Sequence, residues 1–350
     1  MSRSVTLSPP LGRILLRFPH PEPPKVLRFP VLPVFLPFAG CPRRCIFCDQ
    51  AAQTGQAQEP LEAIFARLET QLEETADAHP QEIAFYGGTF TALPEPWPRR
   101  FIELAGRFLD SGRISRVRCS TRPDAVDAIQ LAELKSLGLS LVELGVQSFD
   151  DAALSASLRG YNGATARLGC ETVLAAGLDL GIQLMPGLPG QTPDMFQADV
   201  ACAASLRPQL ARLYPCLVLE GTPLAELWRA GSFEPWSLDA AVAALAPALL
   251  TLWSAGVPLA RLGLVEQEGL AVLAGPRHPA LGQLVRSRAL LDFIRSRLPE
   301  LPESAQVLSI PRRLQGEALG QKNVLEREYN ALGLAVRLWD EPDLALRAAG

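Results

Sequence analysis

Cys41, Cys45 and Cys48 stand as Cys-Pro-Arg-Arg-Cys-Ile-Phe-Cys directly after an apolar run over residues 31–38. Three thiolates within eight residues can hold three irons of a [4Fe–4S] cluster, which normally takes four cysteines. The fourth iron is then open, and an open metal position is what chemistry uses and a purely structural site avoids. A zinc knuckle or an unligated cysteine group is the plain alternative. Gly87-Gly88-Thr89 follows a strand-like run at once. Glycines there let the backbone come close to a ligand, although a glycine pair is also an ordinary turn. Arg159 lies in a loop marked by Gly160, Asn162 and Gly163; loops are where sites concentrate, but the residue also reads as a surface charge near a helix start.

A scaffold must bring these positions together, and the chain has the rhythm for one. Residues 1–38 are rich in proline, including Pro9, Pro10, Pro19, Pro21, Pro23 and Pro24, which makes an extended lead-in and not a helix. Strand and helix then alternate, the pattern of a parallel sheet with crossover helices. Strands are expected over 31–35, 83–86, 117–121, 141–146, 180–185 and 213–219. Between them Leu61, Ile64, Phe65, Leu68 and Leu72 share one helical face. Further helices cover about 98–110, 125–137 (closed by Gly138), 165–176 (closed by Gly177) and 192–206. The stretch 238–255 reads as a helix kinked or broken at Pro247, ahead of a strand-like 259–265. A smaller α/β part follows, with a helix near 279–298, a strand at 307–310, a helix near 317–332 and a strand at 335–338. The expected division is a lead-in over 1–30, a core barrel over 31–265 and an α/β extension over 266–350.

Composition bounds the partners. The 350 residues are 48% hydrophobic and carry a formal net charge of −4, enough chain for a large core plus an appendage. The charge argues against blanket attraction to nucleic acid but leaves room for a local basic patch. Of 33 basic residues only Lys25, Lys135 and Lys322 are lysines. No charged start, apolar stretch and cleavage site occur in that order, so export is not expected. The apolar stretch 240–253 contains Pro247 and falls short of the ~20 residues that span a bilayer. A cytoplasmic protein without membrane partners is expected. Seven cysteines fit a reducing compartment. Cys119, Cys170, Cys202 and Cys216 form no second pair, and Cys170 falls on an apolar helical stripe, so no auxiliary cluster is expected.

The three-then-two spacing of the cysteine loop is that by which radical S-adenosylmethionine (SAM) enzymes are recognised, and the chain resembles that family. The resemblance implies an α/β fold, the partial (β/α)6 TIM-like barrel, with the site at the C-terminal ends of the strands. It implies two cofactors, a [4Fe–4S] cluster and SAM, which carry the hard chemistry while the protein orients them. SAM chelates the open iron, and a cluster electron cleaves it to methionine and a 5′-deoxyadenosyl radical. Residue by residue, the resemblance makes Cys41, Cys45 and Cys48 the metal ligands and places Phe47 near the adenine. Backbone groups of Gly87, Gly88 and Thr89 bind the SAM amino group. Gln147 and Arg159 contact SAM, and the guanidinium fork of Arg159 suits its carboxylate. Ser120 and Gln183, polar where relatives carry acidic residues, are ribose or amino contacts. Met185-Pro-Gly-Leu-Pro-Gly190 forms the loop beneath the adenine.

Seven motifs narrow the resemblance. Phe85-Tyr-Gly-Gly-Thr-Phe90, Ser120-Thr-Arg-Pro-Asp124, Glu143-Leu-Gly-Val-Gln-Ser148, Arg159-Gly-Tyr161, Leu184-Met-Pro-Gly-Leu-Pro189, Leu213-Tyr-Pro-Cys-Leu-Val218 and Glu220-Gly-Thr-Pro-Leu-Ala-Glu-Leu-Trp228 occur in order. They resemble the radical SAM domain of the Elongator catalytic subunit, which acts at the wobble uridine of tRNA using acetyl-CoA. About 90 residues follow the matching part. That is too few for an acetyltransferase domain, so a short bacterial Elongator-like form is expected, ending in a segment like Gly320-Gln-Lys-Asn323. The implied partners are SAM, a tRNA substrate and an electron donor such as flavodoxin or ferredoxin. Arg286, Arg288, Arg295, Arg297, Arg312 and Arg313 face only Asp292, Glu300 and Glu303 between residues 286 and 313, a surplus that reads equally as phosphate contacts or as a solvated face. Two other functions stay open. One is radical chemistry on a small molecule such as a porphyrin precursor, against which Gln50 stands where those enzymes carry a further cysteine. The other is a non-catalytic iron–sulfur protein.

Overall fold

The computed structural model describes residues 12–24, 29–74, 80–264 and 270–348. Its main sheet has seven strands, all parallel, in the order β2 (Val31–Phe35), β3 (Gln81–Tyr86), β4 (Ile114–Thr121), β5 (Leu139–Gln147), β6 (Asp179–Leu184), β7 (Leu210–Leu213) and β9 (Leu259–Leu262). The ends of this order do not pair, so the sheet curls into an open half-barrel. The helices between strands are α1 (Gln50–Thr54), α2 (Leu61–Glu74), α3 (Trp97–Asp110), α4 (Ala128–Ser136), α5 (Asp151–Ala156), α6 (Gly163–Ala175), α7 (Pro193–Ser205), α8 (Pro223–Arg229) and α9 (Leu238–Ser254).

Strand alternation sorts the side chains. Side chains of a strand point to opposite faces in turn, and here one face meets the helices while the other looks into the barrel. Ile83 and Phe85, Val117 and Cys119, Val142 and Leu144, and Ala211 and Leu213 belong to the main core under the helices. Their neighbours Tyr86, Ser120, Glu143, Gln183 and Arg212 line a cavity on the inner face. Gly181 on β6 pairs with Glu143 on β5, and a Cβ at Gly181 would lie 2.8 Å from Glu143 Cγ. The missing side chain is what makes room for a carboxylate inside the barrel.

The sixth expected strand is corrected. The strand in the sheet is β7, which ends at Leu213 where the expected 213–219 begins. Pro215 has no N–H for a ladder, and the chain leaves the sheet; β8 (Val218–Leu219) pairs antiparallel with β10 (Val272–Ala274) instead. The strand-like stretch beginning at residue 259 becomes a seventh barrel strand, β9, with Val265 outside the described residues. Helix α9 is continuous through Pro247 and not broken there. Both Pro247 and Ala243, whose carbonyl loses its donor, are exposed, so that carbonyl is open to water.

The first and last described strands belong together. β1 (Ile14–Phe18) lies in a second sheet ordered β1, β13 (Leu344–Arg347), β11 (Val307–Pro311), β12 (Ala335–Trp339). Helix α10 (Leu281–Arg297) joins the two layers: Leu281, Val285 and Ala289 pack into the barrel core, and Leu290, Leu291 and Ile294 pack with Phe18, Leu308 and Leu346. The helix expected near 317–332 is two short ones, α11 (Gln315–Leu319) and α12 (Glu326–Ala331). Gly320, Lys322 and Asn323 between them all have positive φ, which no right-handed helix accommodates. No helix among the described residues is long and apolar enough to cross a membrane.

Candidate active site at the barrel mouth

A cavity of about 380 Å³ opens at the C-terminal ends of the barrel strands. Cys41, Cys45, Cys48, Phe47, Gly87, Gly88, Ser120, Gln147, Arg159 and Gln183 all line it. Thr89 does not reach the cavity; it is fully buried behind the wall, with its hydroxyl 3.3 Å from Cys41 Sγ.

Local geometry holds the cysteine loop in place. Ala39 O accepts from Thr89 N at 2.7 Å. Gln50 Oε1 accepts from Phe38 N and, at 2.8 Å, from Gly88 N. Gly88 has φ +57°, and a Cβ on it would sit 2.2 Å from Ala39 O, so any other residue would push the two loops apart. The Gly88 and Thr89 N–H groups are spent in this staple, and what a ligand can meet there is carbonyl oxygen. Gln50, absent from the expected site, is therefore the residue that joins the cysteine loop to the glycine turn.

The Cys41 and Cys48 thiols are shifted by their surroundings. Burial pushes the Cys41 thiol up despite Thr89, and burial with the neighbouring Cys45 and Cys41 sulfurs pushes Cys48 up to about 12. A bound metal reverses such shifts by taking the thiolates directly, with release of protons. Among the described residues no three His, Cys, Asp or Glu side chains converge on one point able to hold a single ion. A cubane does not require that, because each thiolate binds a different iron.

Arg159 is only 5% exposed, and its Nη1 donates to Cys45 Sγ at 2.9 Å. Its Nε and Nη2 donate to Tyr161 Oη at 3.0 and 2.7 Å, and Nη2 also reaches Gly145 O. The fork expected to clasp a carboxylate with two N–H groups has one left, on Nη1. Among the described residues no carboxylate pairs with this buried guanidinium, and its positive charge is aimed at a cysteine sulfur. That arrangement fits an anionic metal–thiolate group, since an uncompensated buried charge is costly. Gln147 ends β5 with φ +69°, a strained backbone for a residue with a side chain, and its Oε1 accepts from Gln183 Nε2 at 3.3 Å.

The floor of the cavity was not foreseen. Arg212 on β7 donates through Nε to Glu143 on β5, and its two terminal nitrogens lie 3.3 Å from the Tyr214 and Tyr86 hydroxyls. Arg118 on β4, 1% exposed, donates to the same Glu143 and lies 3.3 Å from Glu82 without hydrogen-bond alignment. Burial alone would raise the Glu143 pKa, but Arg212 and Arg118 hold it below the usual carboxylate range. Burial wins at Glu82, whose carboxyl is pushed up against the weaker pull of Arg118. The four residues come from four strands, so spacing along the chain carries no hint of the cluster. A charge inside a central parallel strand does carry one, because such strands are buried on both faces and a charge there needs a partner.

Known proteins agree with this architecture. The Radical SAM superfamily profile matches residues 35–203, and the Radical SAM C-terminal domain profile matches 208–290. The tRNA uridine(34) acetyltransferase of Methanocaldococcus infernus is 25% identical over 292 residues, 71% of this chain and 54% of that protein. Elongator complex protein 3 of Schizosaccharomyces pombe is 30% identical over 286 residues, 72% of this chain and 49% of the relative. The chain thus spans about half the length of these curated relatives. Among solved structures, the archaeal Elp3 of Methanocaldococcus infernus with an N-terminal deletion superposes with a TM-score of 0.55 at 22% identity, covering 76% of this chain and 63% of that one. Coproporphyrinogen III oxidase of Escherichia coli gives 0.50 at 19% identity, covering 67% and 54%. With the half-barrel, the cysteine loop at its mouth and both profiles in register, the chain belongs to the radical SAM superfamily.

Proposed function

We propose that this chain is a radical SAM enzyme that modifies a base of tRNA. Cys41, Cys45 and Cys48 would hold three irons of a [4Fe–4S] cluster. Such a cluster with SAM at its open iron supplies, after one-electron reduction, methionine and a 5′-deoxyadenosyl radical. The residues around it bind and orient: Gly87 and Gly88 carbonyls accept from the SAM amino group, with Thr89 holding Cys41 behind them. The remaining Arg159 N–H meets the carboxylate, Gln147, Ser120 and Gln183 contact the ribose or amino group, and Phe47 packs by the adenine. The observation that carries this reading is the meeting of the cysteine loop with the ends of four different strands in one cavity.

The substrate assignment rests on charge. Of the arginines lining the cavity, Arg212 is matched by Glu143 and Arg122 by Asp124, while Arg118 behind the wall is held by Glu143 and Glu82. At the rim Arg43 and Arg44 are exposed and Arg261 is half-buried. Arg44 stacks 4.0 Å from the Phe38 ring and Arg261 donates to Gly263 O, with no carboxylate on these three among the described residues. A three-thiolate cluster and SAM nearly cancel each other, so the rim stays positive and suits phosphates. The names of the relatives point to a tRNA uridine as the modified base. An electron donor of flavodoxin or ferredoxin type and a cytoplasmic location complete the reading. Anaerobically reconstituted protein should bind about four irons per chain and form 5′-deoxyadenosine from SAM and a reductant; iron without that product overturns the enzymatic reading. Mass spectrometry of tRNA nucleosides from cells with and without the gene should show one modified nucleoside missing in the latter, and identical profiles overturn the substrate.

A further inference from the structure

Arg122 directly follows β4, and it is 4% exposed. Asp124 grips it at two points, from Nε at 2.9 Å and Nη2 at 2.8 Å. The same Nη2 donates to Arg159 O at 2.5 Å, and Nη1 lies 4.0 Å from Cys45 Sγ. Two guanidinium groups approach the ring of Tyr161, Arg122 at 5.2 Å and Arg159 at 5.1 Å from its centroid. Two buried cations thus stand side by side with a carboxylate on Arg122 alone, and both lie against one sulfur.

Like charges are not buried together without a counter-charge. Asp124 neutralises one of the two, and the sulfur of Cys45 is the remaining partner. When a [4Fe–4S] centre accepts an electron its charge falls by one, and a nearby cation or an N–H···S bond stabilises the reduced form more than the oxidised one. Second-layer groups of this kind set both the orientation of a first-layer residue and the potential of the metal.

We propose that Arg122 is a positioning residue that clamps the Arg159 backbone against Cys45 and, as a second buried cation, raises the reduction potential of the cluster. The proposal rests on the cluster reading above. The test uses full-length, iron-loaded protein without SAM, with the midpoint potential followed by electron paramagnetic resonance during a redox titration. R122Q should shift the midpoint to more negative values at unchanged iron content. D124N, which keeps the cation and removes its counter-charge, should shift it the opposite way. R122K, which keeps charge without the two-point grip, should stay nearer the parent than R122Q. A purely structural role would lower iron content or stability without this pair of opposite shifts. An unchanged midpoint in R122Q at full iron load overturns the proposal, and if R122Q does not fold, a D124N midpoint that fails to rise does the same. Failure of the parent protein to take up iron is a different result, since it sinks the cluster reading itself.

Discussion

The arginines at the barrel mouth and those of the C-terminal layer are the same residue put to opposite uses. In the C-terminal layer Arg286 pairs with Glu22, Arg288 and Arg295 share Asp292 and Glu328, Arg297 pairs with Glu300, Arg312 with Asp340, and Arg313 donates to Pro342 O. Most of the surplus counted along residues 286–313 is met because Glu22, Glu328 and Asp340 arrive from elsewhere in the chain; Glu303 pairs with Arg13, and Arg313 alone of the six has a carbonyl in place of a carboxylate. At the mouth, Arg44 and Arg261 meet a ring and a backbone oxygen instead. A run of arginines is therefore not yet a basic surface, and of the two places where phosphate could be met, the mouth is the better suited.

Substitutions test this contrast, and the largest effect should come from the mouth. C45A should reduce iron uptake and 5′-deoxyadenosine formation to background, while circular dichroism reports an intact barrel. A barrel that melts with the cysteine would make the cluster a structural staple.

Next in size is the floor of the cavity. E143Q leaves Arg118 and Arg212 short of their shared carboxylate, and breaking a buried pair costs about 3–5 kcal/mol, readable in a urea titration. The Glu143 pKa is depressed, so its contribution should be complete above the ordinary glutamate value of about 4.3 and lost as pH falls through its lower folded value. Equal stability of E143Q and the parent at neutral pH, or a parent curve with no such loss in acid, would remove the network from the account.

A smaller effect separates the two sets of arginines directly. Replacing Arg43 and Arg44 together by Gln should flatten the slope of log affinity for tRNA against log salt by about 0.7–0.9 for each phosphate no longer neutralised. The pair R295Q and R297Q should leave that slope unchanged. The reverse outcome would return the RNA to the C-terminal layer. Smallest of all, R312Q breaks an exposed pair with Asp340 and should change stability by less than about 1 kcal/mol in thermal unfolding.

Much of the barrel was legible because strand period and helix period differ. Residues 31–35 are a strand as expected, and Leu61, Ile64, Leu68 and Leu72 mark α2, with Ile64, Leu68 and Leu72 buried. What failed did so at prolines and glycines whose effect depends on surroundings. Pro215 released the chain from the sheet where its apolar neighbours read as strand, while Pro247 left α9 whole because it faces water. β13 was not expected at all, and β1 was expected only as extended chain, because each is short and finds hydrogen bonds in the other, at the opposite end of the chain.

The amino-acid order alone determined the spacing of Cys41, Cys45 and Cys48, the glycine pair behind them and the alternation that turns Ser120, Glu143 and Gln183 inward, because each depends on neighbours within a few residues. Only the tertiary structure decided that Arg159 spends its N–H groups on Cys45, Tyr161 and Gly145, that Arg122 stands behind it, that Glu143 is shared by two arginines and that five of the six arginines between residues 286 and 313 find carboxylates. The physical reason is the reach of each interaction. Periodicity and backbone strain act locally, whereas a buried charge is stable only with a partner, and folding is free to draw that partner from any strand of the sheet.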